Sequence, residues 1–223
     1  FEVYGGSEHL WAALRGNIAS LEWDEANSPS DPVRFRVNGP SGVHPYEVRI
    51  AENNKLDRRI RGTLLRARWR VDAFEWETDP SVDRDAWREE ALGKRGRRAR
   101  PNAMQFDFGE GGPSDLSMSA AVIRAKLRED RFGVIATSKL RLASGAYAFT
   151  LAIGPDDEAV MTIDDEVVLE LDTSGEGTGT RGQTVLEIDE PRDVRVRIEY
   201  AERTGKAKLE LTIGKPDDAD TLD

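Results

Sequence analysis

The sequence predicts an all-β protein: an antiparallel β-sandwich or barrel with one short helix, preceded by a small β-rich N-terminal segment. Three observations predict this class. Apolar and polar residues alternate with a period of two along most of the chain, which is typical of strands with one buried face. Turn residues, mainly glycine and aspartate, separate these runs at short intervals. Only one segment has both the spacing and the end signals of a helix.

The pattern divides the chain into three parts. Residues 1–61 are expected to form the β-rich N-terminal segment, with strands at 33–37 and 46–50. The sandwich is expected over residues 62–215. Residues 216–223 are rich in aspartate, and we expect them to form an acidic tail or linker.

The sandwich region opens with a strand whose apolar residues change phase. Residues 67–73 alternate between apolar and polar side chains, and Phe74 and Trp76 then become the large apolar residues. The pattern has therefore shifted by one position. A β-bulge near Ala73 would explain the shift.

Residues 83–92 form the predicted helix. Asp83 is a good N-cap, Trp87 and Ala91 fall on one face, and Gly93 provides the stop. A second segment, residues 117–128, fits a helix or a strand equally well by periodicity.

The clearest alternation lies near the C-terminus. Residues 194–200 and 207–213 each alternate strictly, and the short glycine-containing turn 202–205 separates them. This arrangement predicts an antiparallel hairpin. Further strands are predicted at 146–153, where both faces are small or apolar as in a central strand, and at 167–171 and 184–188.

The composition excludes several classes of function. The chain has 223 residues, no cysteine and two histidines, which excludes disulfides, thiolate zinc sites, thiol nucleophiles and histidine metal clusters. The sequence lacks a phosphate-binding loop, a serine hydrolase elbow and a zinc protease motif, so we expect no catalysis. No apolar run approaches the roughly 20 residues of a membrane-spanning helix, and no signal peptide is recognisable; we expect no membrane insertion.

The net charge of −10 is unevenly distributed. Residues 142–223 contain 8 basic and 20 acidic side chains, a balance that disfavours nucleic acids and suits cations. The basic run at residues 94–100 has no interleaved aromatic residues for base stacking, which favours a solvated loop. No nucleic-acid partner is expected.

A series of short motifs follows residue 131. Arg131-Phe132-Gly133 precedes Ser144-Gly145-Ala146-Tyr147-Ala148-Phe149, then Gly154-Pro155-Asp156-Asp157-Glu158 and Ile163-Asp164-Asp165, and later Arg197-Ile198-Glu199-Tyr200. In this order they resemble the protective-antigen fourteen-kilodalton domain family, which occurs in glycosidases, toxins and flocculin-type adhesins. The resemblance implies a lectin-like β-sandwich or barrel.

The resemblance also implies a ligand site. In sugar-binding members of the family the two adjacent aspartates hold Ca²⁺, and sugar hydroxyls complete its coordination, which carries over to Asp156 and Asp157. Because the chain has no asparagine after Asn102, Asp172 or Glu176 would have to serve as the remaining metal ligands. Consecutive carboxylates normally point apart, so their convergence on one ion would need an unusual backbone such as a cis peptide. Ca²⁺ is the one cofactor implied.

The function implied by the resemblance is a non-catalytic carbohydrate-binding or adhesion module, of a kind also appended to enzymes. Its partner would be a glycan or a neighbouring domain, and its parent a secreted, extracellular or cell-envelope protein. The alternative is a structural or protein-interaction spacer without a small-molecule ligand.

Two alternatives remain open at the level of single residues. The segment 155–158 is also a good turn between strands, since proline presets φ and aspartate bonds to nearby amides. Trp69, Trp76 and Trp87 could form a sugar-stacking platform or part of the core.

Overall fold

The computed structural model gives the strand backbones of the first 66 residues and, beyond them, most residues with their side chains. It describes residues 2–3, 10–13, 20–24, 33–38, 41–52, 55–93, 97–116, 119–175, 177–214 and 216. The chain divides into two compact units, Phe1–Arg66 and Ala67–Asp223. Apart from residue 216, the predicted acidic tail lies outside the described residues.

The described residues of the first unit form six strands. These are β1 (Glu2–Val3), β2 (Leu10–Ala13), β3 (Ser20–Asp24), β4 (Val33–Asn38), β5 (Gly42–Glu52) and β6 (Lys55–Arg66). β4 lies between β1 and β3, and β5 pairs with β2 and β6, antiparallel in each case. The strands predicted at 33–37 and 46–50 are therefore confirmed.

The described residues of the second unit form ten strands and two helices. In chain order these are β7 (Arg70–Glu75), α1 (Arg84–Leu92), β8 (Arg97–Ala99), β9 (Gln105–Gly109), α2 (Ala120–Ala125), β10 (Phe132–Leu142), β11 (Gly145–Ile153), β12 (Asp157–Ile163), β13 (Glu166–Asp172), β14 (Thr180–Ile188), β15 (Arg192–Glu202) and β16 (Ala207–Gly214). Neither helix is long and apolar enough to cross a lipid bilayer.

The strands of the second unit form two antiparallel sheets. One has the order β13-β12-β15-β10-β7-β8, and the other has the order β14-β11-β16-β9. The predicted β-sandwich is confirmed, and within the described residues neither sheet closes into a barrel. β11 has a neighbour on both sides, as its two apolar faces predict.

The expected hairpin between residues 194–200 and 207–213 is wrong. β15 pairs with β10 and β12 in the first sheet, whereas β16 pairs with β11 and β9 in the second. The turn between them therefore carries the chain from one layer to the other. Both strands alternate because each turns its apolar face to the same core from opposite layers.

The expected bulge near Ala73 is also wrong. β7 pairs with β10 without a break in register, and both Ala73 and Phe74 are fully buried. The sheet is covered on both faces here, because α1 packs Trp87 and Ala91 against Phe74 and Trp76 on the face opposite the second sheet. The phase change in the sequence reflects two buried faces.

The predicted helix and its ends are confirmed in α1. Asp83 is the N-cap and accepts a 3.0 Å hydrogen bond from the amide of Ala86, and the amide of Gly93 donates to the carbonyl of Glu90 at the other end. Trp87 packs edge-on against Phe74 with ring centroids 4.9 Å apart.

The ambiguous segment 117–128 contains a second helix, so the expectation of one helix is wrong. α2 begins after the N-cap Ser119, whose hydroxyl accepts from the amide of Val122 at 3.2 Å. With one turn and a half, it is too short to show a helical period.

The core lies between the two sheets and is rich in aromatic rings. The ring of Phe108 in the second sheet lies 4.9 Å from Phe132 and 6.2 Å from Tyr200 in the first, measured between centroids. Every aromatic side chain in the described residues after position 66 is buried, including all three tryptophans. The core interpretation of Trp69, Trp76 and Trp87 is therefore confirmed, and the sugar-stacking platform is wrong.

Part of the basic run forms regular structure and is not a loop. Residues 97–99 form β8, which pairs with β7, and Arg98 makes a 2.9 Å ion pair with Asp72. Residues 94–96 lie outside the described residues.

Candidate functional site

Three connections between the sheets meet at one end of the sandwich. Their described residues are 154–156, 173–175 with 177–179, and 203–206, which follow β11, β13 and β15. The amide of Thr173 donates to the carbonyl of Asp157 at 2.9 Å, and the amide of Gly154 donates to the carbonyl of Lys208 at 3.1 Å. We call this end, with Asp156, Asp157 and Asp172, the acidic corner.

Asp156 stands at the outside of the corner. Pro155 and Asp156 form the predicted turn, and Asp156 has a left-handed backbone with φ +60°, a conformation that aspartate tolerates better than most residues. Its Oδ1 accepts from the amide of Gly175 at 2.9 Å, and its Oδ2 accepts from the hydroxyl of Thr204 at 2.7 Å. The carboxylate thus ties two neighbouring connections together.

Asp157 points into the sandwich and has no exposed surface. Its Oδ2 accepts from the hydroxyl of Tyr200 at 2.8 Å and lies 3.5 Å from the amide nitrogen of Lys208. Its Oδ1 has no hydrogen-bond partner among the described residues. Burial raises the pKa of Asp157 to about 7, against the opposing effect of the Tyr200 hydroxyl.

Glu202 is the cross-strand neighbour of Asp157 in the β12–β15 ladder and is also fully buried. Its carboxyl accepts from the amide of Arg131 at 2.8 Å through Oε2, and Oε1 has no partner among the described residues. Burial, with the nearby charge of Asp157 adding to it, raises the pKa of Glu202 to about 8. Sequence reasoning missed this residue, although it continues the inward phase of residues 194–200.

The main chain of the corner is packed too tightly for larger residues. A Cβ on Gly154 would lie 2.6 Å from the carbonyl oxygen of Lys206 and 2.7 Å from Oδ2 of Asp157. The buried hydroxyl of Thr173 accepts from the amide of Asp157 at 2.8 Å and lies 2.9 Å from the carbonyl oxygen of Gly154. These contacts fix the direction in which each aspartate points.

Of the two further metal ligands expected from the sequence, Asp172 lies at the corner. Its Oδ1 accepts from the amide of Ser174 at 2.9 Å and from the hydroxyl of the same residue. These hydrogen bonds, with the charge of Arg203, hold the pKa of Asp172 below its usual value. Glu176 lies outside the described residues.

Glu158 connects the corner to α1. Its side chain is almost fully buried and forms ion pairs with Arg84 of α1 at 2.6 Å and with Arg203 at 2.5 Å. The Arg203 guanidinium also lies 3.5 Å from Asp79 and 4.0 Å from Asp172. A positive charge is therefore already built into this part of the corner.

These contacts do not fit a calcium ligand set. Ca²⁺ takes about six to eight oxygen ligands, but both oxygens of Asp156 accept internal hydrogen bonds and Asp157 is turned inward. The peptide between them is trans, because the described residues contain no cis bond. No group of three or more acidic or histidine side chains in the described part of the chain could hold a metal ion. Calcium binding here remains a prediction of the resemblance.

The sequence of this part of the second unit matches a family model. The match is to the PA14 domain and covers residues 118–222. The family resemblance of the sequence motifs is thereby confirmed, and the acidic corner lies within the matched residues.

Solved structures similar to the chain are distant in sequence. The epithelial adhesin 6 A domain of Candida glabrata, in complex with Galβ1-3GlcNAc, has 11% identity and a TM-score of 0.48, covering 68% of this chain and 80% of that one. The β-glucosidase of Kluyveromyces marxianus has 15% identity and a TM-score of 0.45, covering 68% of this chain and 17% of that one. An anti-sigma factor domain-containing protein has 16% identity and a TM-score of 0.47, covering 66% of this chain and 43% of that one.

The chain thus spans about a sixth of the glucosidase chain and less than half of the anti-sigma factor domain-containing protein. With TM-scores below 0.5, these likenesses say nothing about function. No curated protein has a matching sequence.

Proposed function

We propose that this protein is a non-catalytic carbohydrate-binding or adhesion module that belongs to a larger secreted, extracellular or cell-envelope protein. The observation that carries the proposal is the match of residues 118–222 to the PA14 domain family. The acidic corner supports it, because it gathers polar loop residues at one end of a rigid sandwich, where binding residues are commonly found.

Recognition at the corner would rely on hydrogen bonds to sugar hydroxyls. Asp156 and Ser174 lie on separate connections of the same end, and Thr204 is exposed on the third. Because every aromatic side chain of the described second unit is buried, no ring there is free to stack on a sugar. We therefore expect a shallow, polar site of modest affinity that works without a metal ion.

The buried acid pair supports a non-catalytic function. A glycoside hydrolase needs two carboxyl groups about 5 to 10 Å apart that reach the glycosidic bond from both sides. Asp157 and Glu202 are neighbours, but neither has exposed surface that could reach a substrate. If the parent protein is an enzyme, this module would be an accessory to it.

A glycan array probed with the whole chain tests the proposal, with Galβ1-3GlcNAc among the probes. We expect binding to a limited set of glycans that survives EDTA and weakens in Asp156→Ala. Asp193→Ala is the matched control, because Asp193 lies at the opposite end of β15 in exposed ion pairs with Lys139 and Arg141. A blank array would overturn carbohydrate binding.

The second candidate function is a structural or protein-interaction spacer without a small-molecule ligand. The observation that favours it is the internal bonding of the corner, where Asp156 and Asp172 accept hydrogen bonds from their own loops. Calorimetric titration with Ca²⁺ of the wild type and of Asp156→Ala/Asp157→Ala addresses the metal. Heat of binding or a raised melting temperature in the wild type alone would establish a calcium site, whereas no response at millimolar Ca²⁺ together with a blank array would favour the spacer.

A further inference from the structure

A groove opens beside the acidic corner, between α2 and the segment that leads into β10. Its volume is about 730 Å³, and its lining includes Asp115, Ile123, Lys126, Leu127 and Asp130. This volume is in the usual range for small-molecule sites. None of the motifs behind the family resemblance falls in this groove.

The walls of the groove are held together before any ligand binds. The hydroxyl of Ser114 accepts from the amide of Leu127 at 2.7 Å and donates to the carbonyl of Val122 at 3.0 Å. One side chain therefore joins the loop before α2 to the helix and to the segment that follows it. A carboxylate oxygen of Asp115 accepts from the amide of Gly112 at 2.9 Å. A preformed wall lowers the entropic cost of binding, because fewer groups have to become ordered when the ligand binds.

The groove adjoins the acidic corner through a single turn. Oδ1 of Asp130 accepts from the amide of Gly205 at 3.1 Å, and the neighbouring Thr204 donates to Asp156 at 2.7 Å. The turn 203–206 thus donates hydrogen bonds to two carboxylates, that of Asp130 in the groove and that of Asp156 in the corner. A ligand long enough to cross this turn would contact both.

The chemistry of the lining suits a neutral ligand with many hydroxyl groups. Ile123 is 46% exposed and gives the groove an apolar surface, while Lys126 supplies a donor and Asp115 and Asp130 supply acceptors. Sugar hydroxyls both donate and accept, and the ring carbons form an apolar face. Charges of both signs in one groove disfavour a polyanion or a polycation.

We propose that this groove is a second carbohydrate subsite, which takes a neutral oligosaccharide extending from the acidic corner and needs no metal ion. The proposal rests on the carbohydrate-binding function proposed above and adds the class of ligand. A saccharide of two or more residues would therefore bind more tightly than its terminal monosaccharide.

The experiment uses the whole chain in EDTA, with calorimetric titration of the best oligosaccharide from the glycan array and of its terminal monosaccharide. Lys126→Asn removes the ammonium group and suits the left-handed backbone at this position, where φ is +51°. We expect it to weaken the oligosaccharide at least about tenfold, the size expected for a lost hydrogen bond to a charged group, and to leave the monosaccharide unchanged. Lys139→Gln, an exposed lysine far along β10, is the matched control.

Ile123→Ser is a second groove variant, which removes the exposed apolar side chain of the groove. If both groove variants bind the oligosaccharide like the wild type while Asp156→Ala weakens it, the groove subsite is wrong and the function at the corner stands. If the wild type binds no glycan at all, both proposals fail.

Discussion

The hydroxyl of Tyr200 donates a 2.8 Å hydrogen bond to Oδ2 of Asp157 inside the sandwich, where neither side chain has any exposed surface. One aspartate of the adjacent pair is thus part of the core, while its neighbour Asp156 faces the loops. In the sequence, the adjacent aspartates suggest one ligand site. In the structure they have different surroundings, because Asp157 is buried and Asp156 lies near the surface.

Replacing Tyr200 by phenylalanine should destabilise the protein by about 1–3 kcal/mol, the range for leaving a buried polar group without its partner. The loss should be larger at pH 8 than at pH 5, because the ionised form of Asp157 depends more on a donor than the neutral form does. Urea unfolding at the two pH values measures this. An equal loss at both would contradict the role assigned to the hydroxyl.

The buried acid pair should make the protein less stable as the pH rises. Burial raises the pKa of Asp157 to about 7 and that of Glu202 to about 8, above their usual values of 3.8 and 4.5. The folded chain therefore keeps protons that the unfolded chain releases, so the free energy of unfolding falls between about pH 4 and pH 8. Melting temperatures at pH 5, 6, 7 and 8 should decrease in that order.

The double variant Asp157→Asn/Glu202→Gln should flatten this pH dependence, since neither replacement titrates. Asp193→Asn, at an exposed ion pair, should leave the slope unchanged. A melting temperature that rises from pH 5 to pH 8 in the wild type would show that the pair is ionised in the folded protein.

Gly133→Ala should destabilise the sandwich by about 1–3 kcal/mol, as overpacking of a core does. A Cβ at Gly133 would lie 2.5 Å from Cζ of Phe74 and 2.8 Å from Cζ2 of Trp87, so α1 would have to move away from the sheet. Gly177→Ala is the control, because a Cβ there meets nothing within 4 Å. Equal urea midpoints for the two variants would show that α1 adapts without cost.

Glu199→Gln should lower stability by about 1–3 kcal/mol through lost charge-assisted hydrogen bonds. Glu199 is almost fully buried and accepts from Arg88 of α1 at 2.8 and 3.0 Å and from Arg197 at 2.8 Å. These contacts hold the pKa of Glu199 below its usual value despite burial. The exposed pair of Lys139 and Asp193 offers the comparison in urea unfolding, where Asp193→Asn should shift the midpoint much less than Glu199→Gln does.

The features that were predicted correctly depend on residues that lie close together in the sequence. The cap at Asp83, the stop at Gly93 and the buried face of Trp87 lie within one short segment, and the helix was predicted correctly from them. Strand alternation gave the fold class for the same reason. It could not give pairing partners, because residues 194–200 and 207–213 show the same pattern whether they face each other in one sheet or lie in opposite layers.

The candidate site was only partly predictable. The turn at Pro155 and Asp156 follows from residue type, but the inward direction of Asp157 is set by Thr173 and Tyr200, which are distant in sequence. Glu202 did carry a signal, since it stands at an inward position of an alternating strand. The groove beside α2 could not be predicted from the sequence. It is formed by contacts between segments whose apolar and polar residues follow no clear period.

Each of the three connections of the acidic corner runs from one sheet to the other. The main chain therefore joins the two sheets covalently three times at that end. A single proteolytic cut in any one of them would leave two covalent crossings, and the layers would keep their alignment. After one such cut, the two layers would thus remain covalently joined at this end.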